Sequence, residues 1–192
     1  MPEALLFILS GPSGVGKDAA IKRLKAKQFP MHYAVTATTR AIRPGEVAGS
    51  DYIFLSPEEF QRRLDGDEFL EHADVYGKRY GTPKAQVLEP LAAGQDVLLK
   101  IDTQGADTVK VKLPHAVRIF LAPPNFEELK RRLTERLTES EEALLRRLRE
   151  AEAEMACMSE YDYRVYNHSE ALEDAVRQIE QIVEQEKAKV RS

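Results

Sequence analysis

The glycine-rich turn Gly11-Pro12-Ser13-Gly14-Val15-Gly16-Lys17 constrains this chain more than any other stretch. It has the spacing G-x-x-x-x-G-K. The unbroken apolar run Leu5-Leu6-Phe7-Ile8-Leu9 precedes it, and Ala20, Ile21 and Leu24 recur at helical spacing from Asp18 to about Gln28. A short apolar run bounded by a turn reads as a strand buried on both faces. Strand, glycine turn and helix in that order is the setting in which such a turn closes on phosphate. Its glycines let backbone N–H groups converge on phosphate oxygens, Lys17 adds a point charge, and the helix N-terminus adds its dipole. The expected ligand is a nucleoside triphosphate with Mg²⁺. Ser or Thr usually follows the lysine as a metal ligand, but here the residue is Asp18. A carboxylate suits Mg²⁺, which prefers hard oxygen donors. Asp18 could equally serve only to favour the first helical turn electrostatically.

Further along, Val97-Leu98-Leu99-Lys100-Ile101 and Val117-Arg118-Ile119-Phe120-Leu121 are two more buried-strand candidates, and Arg164-Val165-Tyr166 is a weaker one. Helical patterns run from about Lys84 to Ala93, from Asn125 to Met158 with a break near Leu137-Thr138-Glu139-Ser140, and from about Glu170 to Lys189. Between Pro30 and Pro83 the texture changes to short strands and loops, with a helical piece near Pro57 to Leu64. Strands alternating with helices imply an α/β fold with a mostly parallel sheet flanked by helices, interrupted by an inserted lobe.

Composition narrows the classes. At 192 residues the chain fits one compact domain with a real core. Its 28 basic and 32 acidic residues leave a net charge of −4, so no global basic field points to nucleic acid. The single cysteine, Cys157, excludes an intramolecular disulfide and a multi-cysteine zinc site and suits a reducing compartment. His32, His72, His115 and His168 stand isolated, without metal-ligand spacing. The early apolar stretch Ala4–Leu9 is too short for a membrane span and runs into Ser10-Gly11 rather than a small-residue cleavage site. Neither secretion nor membrane insertion is expected.

Several further motifs are more specific in combination. They are Thr36-Ala37-Thr38-Thr39-Arg40, Arg43-Pro44-Gly45-Glu46, Gly49-Ser50-Asp51-Tyr52-Ile53-Phe54, Glu68-Phe69-Leu70-Glu71, Tyr80-Gly81-Thr82, Ile101-Asp102-Thr103-Gln104-Gly105-Ala106, Arg132 to Arg136, Thr138 to Glu142, Arg147 and Asn167. Together they closely resemble the guanylate kinases, in order, over nearly the whole chain. The resemblance implies ATP + GMP ⇌ ADP + GDP on a P-loop NTPase-type parallel sheet. It also implies a core of residues 1–33, 84–123 and 151–192, a mixed α/β GMP-binding lobe at 34–83 and a helical lid at 124–150.

It further implies roles for individual residues. Gly11, Pro12, Ser13, Gly14, Val15, Gly16, Lys17, Asp18 and Asn167 would bind Mg-ATP, with Asn167 near the adenine. Arg40, Arg43, Tyr52 and Tyr80 would hold the GMP phosphate, since arginine offers planar bidentate donors. Glu71 and Asp102 would accept from guanine N1–H and N2–H₂, while Thr36, Gly81 and Thr82 complete the pocket. Adenine would leave those buried carboxylates unpaired, a larger penalty than a lost methylene contact. Lys17, Arg40, Arg132, Arg136 and Arg147 would neutralise charge during transfer, which asks for positioning rather than covalent chemistry. Arg132 and Arg136, four apart, share a helix face, although Glu128 could pair with Arg132 on a merely solvated face. The family's role implies a cytoplasmic enzyme of purine metabolism, monomeric or homodimeric.

Four positions depart from the family pattern: Asp18 for Ser/Thr, Lys100 for an acid, Leu137 for glycine and His168 for an acid. The first two suggest an Asp18–Lys100 ion pair that holds the carboxylate near Mg²⁺. Two other functions compete. One is a ribose 1,5-bisphosphate phosphokinase, which Glu71 and the Arg43-Pro44-Gly45-Glu46 motif disfavour. The other is a non-catalytic partner-binding module, which the retained Lys17, Arg40, Arg43, Arg132, Arg136 and Arg147 disfavour.

Overall fold

The structure is a computed structural model that describes residues 4–75, 77–134, 141–168 and 171–191. In chain order the elements are β1 (Leu6–Ser10), α1 (Lys17–Ala26), β2 (His32–Ala34), β3 (Ala37–Thr38), β4 (Ile53–Phe54), α2 (Pro57–Asp65), β5 (Phe69–Val75), β6 (Lys78–Pro83), α3 (Ala85–Ala92), β7 (Val97–Lys100), α4 (Thr103–Lys112), β8 (Val117–Ala122), α5 (Phe126–Thr134), α6 (Glu141–Ala156), a short 3₁₀ turn (Cys157–Glu160), β9 (Tyr163–Tyr166) and α7 (Leu172–Arg191). The expected α/β architecture is present. A five-stranded sheet has the order β2-β7-β1-β8-β9, with β2 parallel to β7 and β9 parallel to β8. The apolar runs in β1, β7 and β8 supply its interior: Phe7, Ile8, Leu9, Leu98, Leu99, Ile119, Phe120 and Leu121 are fully buried.

The chain divides into two compact units: the segment up to Phe7 with Met31–Ala116, and Ile8–Pro30 with the segment from Val117 onward. In the first unit, β3 to β6 form a four-stranded sheet of order β4-β3-β6-β5. Strand β6 runs antiparallel to both β3 and β5, and its register sets Glu71 opposite Thr82. Helix α2 starts where Ser56 accepts the Glu59 N–H at 3.1 Å, with Pro57 at its first position. Its Phe60 stacks on Phe69 (ring centroids 4.6 Å apart) in a small core with Ala37. In the second unit, α5 and α6 share a core of Leu129, Leu133 and Ala151. Helix α7 buries Ala175, Val176, Ile179 and Val183, the spacing of one helical face.

Strand β2 falls in the stretch expected to hold short strands, but pairing with β7 places it in the five-stranded sheet; it is three residues with no apolar run. Helix α4 carries Gly105, Thr108, Val109 and Val111, poor helix formers, and depends on its Asp102 cap and on packing against β5. The break expected at Leu137–Ser140 lies outside the described residues, as does Arg136.

Candidate active site

The triphosphate half of the expected site falls entirely in the second unit. The loop between β1 and α1 needs glycine twice for distinct reasons. Gly11 (φ 136°) lies so close to β8 that a Cβ would sit 2.1 Å from the Leu121 carbonyl oxygen. Gly16 is the left-handed N-cap of α1 (φ 103°), and a Cβ there would meet the Asn167 side-chain nitrogen at 2.5 Å. Asn167 is buried and donates its Nδ2 to the Val15 carbonyl at 2.7 Å, so it supports the loop directly. Its Oδ1 is buried and has no protein donor among the described residues.

Lys17 Nζ folds back onto the loop's own carbonyls, donating to Gly11 and, at 3.1 Å, to Pro12. Arg132 is held by the same loop: Nε donates to Glu128 at 2.9 Å, Nη1 to the Val15 carbonyl at 3.3 Å and Nη2 to the Asn167 carbonyl at 2.8 Å. The Glu128–Arg132 pair weighed as a solvated contact thus forms, but on an arginine only 15% exposed at its side chain. From α6, Arg147 is buried and donates to Ser13 Oγ at 3.1 Å, while Glu154 accepts the Ser13 N–H at 3.3 Å. Glu154 went unremarked in the sequence, where it is one carboxylate among many on a charged helix. Asp18 is exposed in the first turn of α1.

The acceptor half falls entirely in the first unit. Arg40 makes a bidentate pair with Glu46 (Nη1–Oε2 3.0 Å, Nη2–Oε1 2.7 Å), and Glu46 also accepts the Arg43 N–H at 2.7 Å. Burial works against the Arg40 charge, but its bonds to Glu46 and Tyr80 outweigh that and raise its pKa. Burial likewise opposes the Glu46 charge, yet Arg40 and the Arg43 N–H hold its carboxyl below the ordinary range. Tyr52 and Tyr80 meet edge-on, centroids 6.1 Å apart, and the Arg40 guanidinium lies 5.2 Å from the Tyr52 ring centre. Arg40, Tyr52 and Tyr80 therefore gather, and Arg43 adjoins them through its backbone N–H. Glu46, from the same motif as Arg43, holds both arginine segments. Lys100 at the end of β7 donates to the Tyr52 hydroxyl at 2.9 Å, a partner in its own unit.

At the other end of this half, Glu71 is 3% exposed and accepts from Thr82 Oγ1 across the β5–β6 ladder at 2.5 Å. Asp102 caps α4 by accepting the Gly105 N–H at 2.7 Å. Gly105 is required here for close approach, since a Cβ would lie 2.7 Å from Glu71 Oε2. Burial pushes the Glu71 carboxyl up to about 7; the Thr82 bond opposes this, and the like charge of Asp102 reinforces it. Thr36 and Thr82 are buried, and Gly81 packs on the Phe60 and Phe69 rings.

The described residues contain no cluster of three or more His, Cys, Asp or Glu that could hold a metal alone. Mg²⁺ is commonly held through one or two carboxylates together with substrate phosphates and water, and Asp18 is an exposed carboxylate in the first turn of α1.

A family model described as guanylate kinase matches residues 3–186. A guanylate kinase of Clostridium perfringens (strain SM101 / Type A) is 47% identical over 186 residues, covering 97% of this chain and 85% of the relative. A protein of Oryza sativa subsp. japonica named guanylate kinase 2, chloroplastic/mitochondrial, is 46% identical over 98% of this chain and 67% of its own length. The crystal structure of guanylate kinase from Anaplasma phagocytophilum superposes with a TM-score of 0.79 at 33% identity, covering 97% of this chain and 88% of the other. A shikimate kinase from Bacteroides thetaiotaomicron, at 14% identity and a TM-score of 0.51, shares the fold alone.

Proposed function

The chain belongs to the guanylate kinase family and phosphorylates GMP to GDP with ATP, and from that premise we propose how its residues divide the work. Glu71 and Asp102 read guanine, accepting from N1–H and N2–H₂, with Thr82 and Thr36 as hydroxyl partners. Arg40, Arg43, Tyr52 and Tyr80 hold the GMP phosphate, with Glu46 fixing the Arg40 fork. The phosphate loop 11–17 receives the ATP phosphates on its backbone amides, and Lys17 turns from its loop carbonyls to them. Arg132, Arg136 and Arg147 offset charge on the transferring group. Asn167 acts mainly by holding the Val15 carbonyl, and its unmatched Oδ1 suits an adenine amino group. Bound Mg²⁺, with Asp18 as its protein ligand, would neutralise the phosphate oxygens.

In the reaction a GMP phosphate oxygen forms a bond to the γ-phosphorus as the bond to the β-bridging oxygen breaks. The acceptor oxygen is already ionised, so no protein base is needed. The observation that carries the guanine reading is the buried Glu71 carboxylate beside Asp102. Such an arrangement is costly until a ligand with several N–H donors fills it. The matching role is supply of GDP in cytoplasmic purine metabolism.

The test is ADP release from Mg-ATP with GMP, dGMP, AMP and ribose 1,5-bisphosphate offered separately, for the wild type and Glu71→Gln. Strong turnover with GMP, little with AMP, and a loss of at least about tenfold in kcat/KM for GMP in the variant are expected. An unchanged GMP-to-AMP ratio in Glu71→Gln would remove Glu71 from the guanine site.

A further inference from the structure

We propose that Lys100 is a positioning residue for the acceptor phosphate, acting through Tyr52. This rests on the assignment of Tyr52 to the GMP phosphate made above. Lys100 Nζ lies 2.9 Å from the Tyr52 hydroxyl and 4.2 Å from the centre of its ring. An ammonium group has donors only, so in this bond lysine donates and the phenol oxygen accepts. The tyrosine's single proton is then directed to an acceptor other than Lys100. Polarisation by the neighbouring cation strengthens that onward bond, because donors in a chain reinforce one another. Arg40 meets the same ring at 5.2 Å, so two cations on separate elements fix its orientation and both favour an anion at its hydroxyl.

Lys100 ends β7, a strand whose preceding residues are fully buried, so its backbone is anchored while its side chain reaches the inserted lobe. The family pattern places an acid at this position and this chain a lysine, a two-charge change beside the proposed phosphate site. The bond to Tyr52 ties this change to GMP binding. The part of Lys100 is to aim the Tyr52 proton and to bring positive charge near a dianion.

The experiment measures steady-state kinetics of Lys100→Met, Lys100→Arg, Tyr52→Phe and the Lys100→Met/Tyr52→Phe double variant, each with its melting temperature. The expected result for Lys100→Met is a KM for GMP raised about tenfold, with KM for ATP within twofold and kcat within threefold. Arginine should restore most of the loss, because it keeps the charge and the donor. The double variant should be no worse than about the worse single variant, since both remove one coupled unit. If Tyr52→Phe raises KM for GMP but Lys100→Met does not, or if the two effects add, this inference is overturned while the phosphate-site assignment stands. If Tyr52→Phe leaves KM for GMP unchanged, that assignment fails and this inference fails with it. If Lys100→Met folds poorly, Lys100→Gln, which removes the charge but keeps a polar side chain, decides: loss of GMP affinity there, with ATP unaffected and stability intact, supports the role, and equal loss for both nucleotides or no loss for GMP overturns it.

Discussion

Glu71 carries the clearest electrostatic signature. Its pKa rises from an ordinary 4.5 to about 7, first through burial and then through Asp102. Between those values the folded chain holds more protons than the unfolded one, so stability from this residue is greatest below pH 4.5 and falls as pH rises through 7. Glu71→Gln should therefore melt above the wild type at pH 8, with the gap shrinking towards pH 5; an equal gap at both would sink the assignment. Guanine needs the ionised form, so KM for GMP should rise about tenfold between pH 8 and pH 6. The GMP phosphate itself titrates at about 6 in either protein, so the difference between the wild-type and Glu71→Gln profiles isolates the side chain. Glycines separate in the same residue-level way. Gly11→Ala drives a methyl into the Leu121 carbonyl and should lose about 2 kcal/mol or more, with ATP binding. Gly45→Ala faces open space at φ +83° and should lose about 1 kcal/mol, with ATP binding kept. Urea unfolding and ATP titration of the pair check both.

Helix α4 shows how one element serves both stability and recognition. Its weak propensity makes the Asp102 cap important, and the same carboxylate faces the Glu71 site. Asp102→Ala should lose about 1 kcal/mol of stability with the cap. Asp102→Asn keeps an acceptor for the Gly105 N–H and should lose little. Both variants should weaken discrimination of GMP from AMP, and both should move the Glu71 inflection below 7 by removing a like charge. Thermal melts and pH–KM profiles separate the two contributions. If Asp102→Asn destabilised as much as Asp102→Ala, charge rather than capping would be the element's support. This helix was illegible beforehand because Gly105 and its β-branched residues carry no helical signal. By contrast β1, β7 and β8 were legible, since their apolar runs report burial on both faces directly.

For the whole molecule, the residues assigned to GMP and those assigned to ATP lie in different compact units. Ligand-specific protection follows. In hydrogen exchange, GMP alone should slow the amides of 69–82 and 102–105 and leave 11–18 unchanged. Mg-ATP should do the reverse. Protection of both sets by either nucleotide alone would contradict the partition. The family resemblance named the participants at this scale, but composition and periodicity could not assign them to units, because neither reports which distant segments pack together.

Only local chemistry can be read from the chain without its fold. Gly11 to Lys17 between an apolar run and a helical pattern specifies a phosphate loop, because backbone amides converging on an anion need only their own residues and neighbours. Tertiary structure decided the pairings across distance: Asn167 on the Val15 carbonyl, Thr82 on Glu71, Glu154 on the Ser13 amide and Lys100 on Tyr52. Each depends on strand register or helix docking, and a one-residue slip in register would turn Glu71 from the buried face to solvent.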